Sequence, residues 1–354
     1  SWSSLRLRVK IRAASLPALA LPSAAILIFC LLASCGRNSI TAVEKSFFLM
    51  DTYVTIKLYS PPAGREAAAA LIDSAAARMQ KIDSLASSYH PESEIGWLHA
   101  HAGRPVLPLT PEMAAILTAA LHIDSLSSGA FTPAIGALTG LWGFGRREVM
   151  RVPAPEERRQ ALLHTGRQGL RLRPEGLSFT DTLTRIDLGG VAKGFAVDEA
   201  IALLRRHGIT DAQVDAGGDL RTIAGPRTAG KRKVYVRHPL NADAFYGRFP
   251  LDEGAVATSG DYERFFEEGG IRYHHLLDPR NGMPAGGCRS VTVVGPEAVD
   301  CDALATAVFV LGPEKGMELI ESMAGIEGLI LYEEAGRLQE SISKGLAQRF
   351  ERLP

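Results

Sequence analysis

The sequence predicts an α+β fold, with mixed, largely antiparallel sheets packed against helices. Three observations lead there. Helical and strand patterns interleave along the 354 residues. Glycine-bearing turns join neighbouring strands at Gly217–Gly218 and at Glu268–Gly269–Gly270. The β-forming segments between 233 and 277 have no helical pattern between them, which favours antiparallel pairing over a doubly wound parallel sheet. Hydrophobic residues make up 46% and charged residues 22%, so a large core is available. Lys+Arg and Asp+Glu balance at 39 each. That balance lacks the basic excess of a nucleic-acid binder, and no nucleic-acid partner is expected.

The chain opens on a pattern of export. Arg6, Arg8, Lys10 and Arg12 precede an apolar stretch over 16–33 that contains Pro17 and Pro22. The uninterrupted apolar run, 23–34, is short for a membrane span. It ends in Leu32–Ala33–Ser34–Cys35–Gly36, which looks like a bacterial lipobox. This assigns 1–34 to a lipoprotein signal peptide, Cys35 to lipidation and 35–46 to a tether, with one domain over 47–354. The expected location is the bacterial cell envelope, lipid-anchored and facing the periplasm, with the membrane as partner through Cys35. A multiply acylated Cys holds firmly where one chain does not. Cys288 and Cys301 read as buried free thiols, although an oxidising compartment permits a pair. No spacing suggests zinc or iron–sulfur.

The elements follow in order. Residues 47–59 alternate β-formers and polar residues and predict one strand, closed by Pro61–Pro62. Leu71, Ala75, Met79, Ile82 and Leu85 recur at helical spacing and predict a long amphipathic helix over 65–89. Thr110 as N-cap and Pro111 open a helix over 110–127. Residues 151–163 suggest a surface excursion with a short helix. Strands are predicted at 170–172, 177–180 and 184–188, then a helix over 191–207 stopped by Gly208. Further strands fall at 212–215, 220–224, 233–237, 248–251, 255–259, 262–267, 271–277 and 290–294. Helices at 300–311 and 314–323 precede a last strand at 327–332.

Several segments carry chemistry, each with a local alternative. Asp302 and Thr306 lie four apart at a helix start and share a face. Their hard oxygens suit magnesium held together with phosphate; helix capping by Asp300 or Asp302 explains the same residues. Asp187–Leu188–Gly189–Gly190–Val191–Ala192–Lys193–Gly194 is a strand-to-helix turn whose free amides and Lys193 can attract an anion. A tight turn with an exposed lysine explains it equally, and its spacing is neither Walker A nor GxGxxG. His275 can accept a proton from an attacking hydroxyl or serve as a structural histidine. His274 should face the other way. Trp97, Trp142 and Phe131 read as core, and Ser259 lacks the Gly-x-Ser-x-Gly setting of a hydrolase.

Taken together, the segments resemble the ApbE family of FAD:protein FMN transferases, over about 48–332. The resemblance rests on Met50–Asp51–Thr52, Ser88–Tyr89 with Ser93–Glu94–Ile95, and Gly129–Ala130–Phe131–Thr132–Pro133. It continues through Leu141–Trp142–Gly143–Phe144–Gly145, residues 187–198 and Asp215–Ala216–Gly217–Gly218–Asp219–Leu220. Residues 257–262, 273–282 and 302–306 complete it. It implies a flavin transferase domain that uses magnesium and takes FAD as substrate. FMN would pass to a Ser or Thr hydroxyl of an acceptor flavoprotein carrying a flavinylation motif, with release of AMP. Asp302, Thr306 and the Gly190 carbonyl would hold magnesium. Met50, Tyr89, Ala130, Phe131, Thr132, Asp187, Lys193 and Leu277 would contact FAD, and His275 would be the base. The chain departs from the family in carrying Thr132 where Asp is usual and Asp51 where Gly is common.

The chemistry agrees, because attack on a diphosphate needs charge neutralisation and positioning above all. Two rivals share the same residues: a magnesium-dependent FAD pyrophosphatase giving FMN and AMP, and a non-catalytic lipid-anchored FAD-binding protein.

Overall fold

A computed structural model describes residues 42–59, 61, 64–144, 150–225 and 228–354. The expected signal peptide, Cys35, Gly145 and the opening of the tether lie outside these. Val43–Leu49 (β1) and Thr52–Leu58 (β2) precede the helices Gly64–Ala86 (α1), Glu94–Ala100 (α2), Pro111–Leu126 (α3), Gly136–Trp142 (α4) and Pro155–Leu163 (α5). Leu170–Arg173 (β3) and Gly176–Phe179 (β4) pair before Ala192–Arg206 (α6). Strands then dominate: Ala212–Ala216 (β5), Asp219–Ile223 (β6), Lys233–Arg237 (β7), Phe245–Pro250 (β8), Gly254–Gly260 (β9), Phe265–Glu268 (β10), Ile271–His274 (β11) and Ser290–Gly295 (β12). The chain closes with Ala298–Leu311 (α7), Pro313–Ser322 (α8), Glu327–Glu334 (β13), Arg337–Ile342 (β14), Lys344–Ala347 (α9) and Glu351–Arg352 (β15).

The frame is an eight-stranded sheet in the order β1-β2-β5-β6-β9-β12-β13-β14. Each of its pairings is antiparallel, so the α+β expectation holds. Strand alternation gives the sheet two faces. Ala255 and Ala257 of β9 join Met79, Ile201 and Leu304 from α1, α6 and α7 in the main core. Val256 points the opposite way, to a second core with Val236, Phe249, Leu346 and Phe350. That second layer is the small sheet β15-β8-β7 with α9.

Capping explains several starts. Thr110 opens α3 as expected, its Oγ1 accepting from the Met113 N–H at 3.2 Å, with Pro111 next. Helix α7 begins at Ala298, earlier than expected. Its first amides, from Ala298 and Val299, donate to the Asp198 carboxylate at 2.9 Å each. Neither Asp300 nor Asp302 therefore caps this helix.

Four other expectations are corrected. The predicted strand over 47–59 is a hairpin, with Leu49 opposite Thr52. Met50 and Asp51 take φ values of 53° and 58°, the pair of left-handed residues a tight two-residue hairpin turn requires. Its first strand starts at Val43, so 43–46 are paired rather than tether. Residues 184–188 belong to no strand or ladder. Their polar groups go elsewhere: Gly136 N–H to Arg185 O, Asp187 N–H to Pro133 O and Ile186 N–H to His99 Nε2. Finally, β13 is not the last strand, since β14 and β15 follow. Cys288 and Cys301 are buried and free. Among the described residues no helix is long and apolar enough to cross a membrane.

A third, smaller core contains Leu138, Trp142, Phe144 and Leu277, with Phe266 and Tyr273 packed against it. It ties α4 to the β10–β11 hairpin and to the chain just beyond it. Trp142 is fully buried and its Nε1–H donates to the Gly282 carbonyl at 2.8 Å. Trp142→Phe strands that carbonyl. Urea unfolding should record a loss of about 1–3 kcal/mol; an unchanged midpoint would remove this bond from the account.

Candidate active site

One cavity of about 790 Å³ gathers the residues singled out in the sequence. Met50, Tyr89, Ala130, Phe131, Thr132, Asp187, Gly190, Lys193, His275, Leu277, Asp302 and Thr306 all line it. They come from segments that are remote along the chain. The β1–β2 turn supplies Met50, and the loop before α4 supplies 130–132. The 187–193 turn leads into α6, the chain after β11 carries 275–277, and α7 carries 302 and 306.

The turn over 187–190 is shaped by Asp187. Its Oδ1 accepts from the Gly189 N–H at 2.8 Å and its Oδ2 from the Thr139 hydroxyl at 2.7 Å. At Gly190 a Cβ would sit 3.0 Å from Thr306 Oγ1 and 3.3 Å from the Phe131 ring, so a side chain there would crowd both. Gly190 and Thr306 are thereby brought together. Thr306 Oγ1 also lies 3.4 Å from Ser259 Oγ on β9. Thr132 is buried, and its Oγ1 accepts from the Ala134 N–H at 3.3 Å. Asp51 occupies the left-handed region that Gly takes without strain and Asp tolerates, which accounts for its presence in that turn.

Charge is concentrated around Asp302, which is 5% exposed. Its Oδ2 accepts from the Gly194 N–H at 3.0 Å, at the start of α6. Burial raises its pKa, Asp219 adds to the rise, and Lys193 opposes it. Lys193 is ion-paired with the buried Asp219 rather than exposed on a turn. Burial works against its charge, but Asp219, Asp302 and Glu263 together raise its pKa. Glu263 lines the cavity as well, and its crowded wall pushes it up to about 7 against the pull of Lys193.

The donor set fits a hard divalent cation. A carboxylate and a hydroxyl one helical turn on are oxygen ligands, and the backbone of Gly190, which packs against that hydroxyl, can offer its carbonyl. At Asp302 burial and the neighbouring Asp219 outweigh the pull of Lys193, and a cation would add positive charge that favours the ionised carboxylate. Among the described residues no group of three or more His, Cys, Asp or Glu forms a metal cluster. The fit therefore rests on mixed oxygen donors around one carboxylate.

His275 follows the last residue of β11 and is partly open to the cavity. Its Nδ1 lies 3.2 Å from the Arg264 carbonyl oxygen. A carbonyl only accepts, so Nδ1 carries the hydrogen and Nε2 keeps its lone pair. The desolvating walls and then Arg264 lower its pKa to about 3, so the ring is neutral at physiological pH. His274 points away as expected; it is buried, with Nε2 2.9 Å from the Ala285 carbonyl oxygen. Trp142 is core, whereas Phe131 is buried and also reaches the cavity.

The sequence alone assigned no site role to Asp219, Glu263, Asp215 or Thr139, all of which line the cavity or hold a residue that does. For Asp219 a signal existed: an acidic residue directly after Gly217–Gly218 on a strand start. Glu263 carried none.

Known proteins resemble this chain over most of its length. Residues 50–330 match the model of the ApbE family. A "FAD:protein FMN transferase" of Treponema pallidum is 32% identical over 331 residues, covering 87% of this chain and 89% of the relative. One from Vibrio cholerae is 30% identical, covering 69% and 74%. The crystal structure of the ApbE protein of Thermotoga maritima superposes with a TM-score of 0.79 at 33% identity, covering 88% of this chain and all of that one. The flavin transferase ApbE of Vibrio cholerae gives a TM-score of 0.78 at 27% identity, covering 87% and 99%. The fold, the cavity and these matches together establish that the chain belongs to the ApbE family.

Proposed function

We propose that this chain is an FAD:protein FMN transferase: it moves the FMN half of FAD to a Ser or Thr hydroxyl of an acceptor flavoprotein and releases AMP. The observation that carries the reading is the convergence of Asp302, Thr306, Lys193 and His275 on one cavity. Its volume falls within the roughly 300–1,000 Å³ usual for small-molecule sites. The leader and Cys35 support an enzyme anchored by lipid in the bacterial envelope, facing the periplasm.

Magnesium held by Asp302, Thr306 and the Gly190 carbonyl would supply charge neutralisation for the diphosphate. The chain's own groups do the rest. Lys193, fixed by Asp219 and kept cationic, offsets negative charge that develops in the transition state. The amides of the 187–194 turn contribute little beside it, because those of Asp187, Gly189, Val191, Ala192 and Gly194 are already taken by Pro133, Asp187, Leu188 and Asp302. The acceptor oxygen forms a bond to the phosphorus of the FMN half. The bond from that phosphorus to the bridging oxygen breaks, and AMP leaves with the electron pair. His275 Nε2 takes the hydroxyl proton. Its low pKa keeps the lone pair available at neutral pH, while Nδ1 holds the ring in place.

Intact mass spectrometry of a co-expressed acceptor flavoprotein tests the reading. The acceptor should gain FMN with the wild-type chain and none with Asp302→Ala. FMN and AMP appearing with an unmodified acceptor would contradict transfer. His275→Ala should lower the rate by about 10²–10⁴-fold while FAD still binds, as followed by flavin fluorescence. Undiminished turnover would exclude His275 as the base.

Cation binding should also depend on pH. Asp302 is raised to about 8, so below that pH a bound cation displaces its proton. Magnesium affinity should climb from pH 6 to 8 and then level. The cation-free fold should lose stability over the same rise, because the folded chain holds a proton that the unfolded chain has released above its ordinary carboxyl pKa. Calorimetry in buffers of different ionisation enthalpy reads the released proton; a flat affinity from pH 6 to 9 would contradict the assignment.

A further inference from the structure

We propose that the acceptor docks as an added β-strand on the free edge of β7, laying an extended, acidic, hydroxyl-bearing segment along Lys233–Arg237. The inference rests on the transferase reading above and identifies how the protein substrate is held.

In the small sheet β15-β8-β7, β7 is an outer strand. It pairs with β8 through Val234 opposite Phe249 and Val236 opposite Gly247. Just before it, the Arg232 carbonyl accepts from the Leu251 N–H at 3.2 Å. Backbone groups alternate sides along a strand, so Arg232 and Val234 turn theirs toward β8. Those of Lys233 and Tyr235 turn the other way. Among the described residues, neither has a backbone hydrogen-bond partner on that side. An open strand edge is a template for another chain.

This edge borders the cavity: residues 233–237 all line it. The cavity also touches both faces of the main sheet. Val256 belongs to the core under the small sheet, whereas Ser259 faces Thr306 on the helix side. A segment running along β7 therefore enters the same space as the proposed cation and base. The dinucleotide and the protein substrate can approach from different walls.

The chemistry of the edge selects its occupant. Lys233, Tyr235 and Arg237 are exposed. Arg237 has no ion pair among the described residues, and Lys233 has only a solvent-exposed contact of 3.6 Å with Glu351. Two cations flanking the open amides favour an acidic strand. Tyr235 and Phe245, with ring centroids 5.2 Å apart, offer a partly exposed apolar surface for its alternate side chains.

The test uses the full enzyme, FAD, magnesium and the acceptor flavoprotein that takes FMN in the mass assay. Hydrogen exchange should show the amides of Lys233 and Tyr235 gaining protection when the acceptor is added. Tyr235→Pro removes one outward N–H without taking a bond from the β8 ladder, and Tyr235→Ala keeps it. The proline variant should raise the acceptor KM by about tenfold relative to the alanine variant, with FAD binding equal in the two. Equal acceptor KM values, or no added protection in the wild-type enzyme, would overturn the docking mode. If the proline variant does not fold, the exchange measurement on the wild type decides alone. Failure of the underlying reading looks different: the wild-type enzyme leaves the acceptor mass unchanged, and the docking proposal falls with it.

Discussion

A carboxylate with almost no water around it organises this molecule. Asp302 sits on α7, accepts an amide from the first turn of α6, and shares its surroundings with the Lys193–Asp219 ion pair. Burying a charge is costly unless it is paired. Three elements thereby meet in one place: the start of α6 through Gly194 and Lys193, the start of β6 through Asp219, and α7, one turn in, through Asp302 itself. The surrounding core fixes the geometry, since Ala303, Leu304 and Ala305 beside Asp302 are fully buried. Substitution at this carboxylate touches fold and site together.

The same economy appears at the second buried cluster. Asp198 accepts the first two amides of α7 and pairs with Arg221, which also reaches Glu297. This sets where α7 starts, and so which of its residues face the cavity. Because Asp198 does the capping, Asp302 is left for other work. The aromatic core of Trp142, Phe144, Phe266 and Tyr273 plays the matching part on the opposite wall by steadying the hairpin that precedes His275. Rigid elements thus carry the site from both sides, the arrangement that precise positioning requires.

Much of this was legible in the sequence. The long helix was announced by apolar spacing from Leu71 to Leu85, α3 by Thr110–Pro111, and the β5–β6 turn by Gly217–Gly218. Asp302, Thr306, Lys193 and His275 could be picked out because hydroxyl, charged and imidazole groups stood near Gly or Pro at element boundaries, whereas Met50, Tyr89, Ala130, Phe131, Thr132 and Leu277 were named only through the family resemblance. What escaped depended on tertiary contacts. The Met50–Asp51 turn lacks the glycine that advertises a hairpin. Residues 184–188 have strand composition, yet their amides are taken by Pro133 and His99. Asp219 is ordinary for a turn until the fold sets it against Lys193. The start of α7 depends on Asp198, a hundred residues earlier in the chain.

The central claim is that Asp302, Thr306 and the Gly190 carbonyl grip a divalent cation beside a bound dinucleotide. A crystal soaked with manganese and FAD, measured for anomalous scattering, tests it most directly. One strong peak is expected within bonding distance of the Asp302 carboxylate and the Thr306 hydroxyl, touching the FAD diphosphate. A diphosphate bound away from those two side chains, or a peak elsewhere in the cavity, would contradict it.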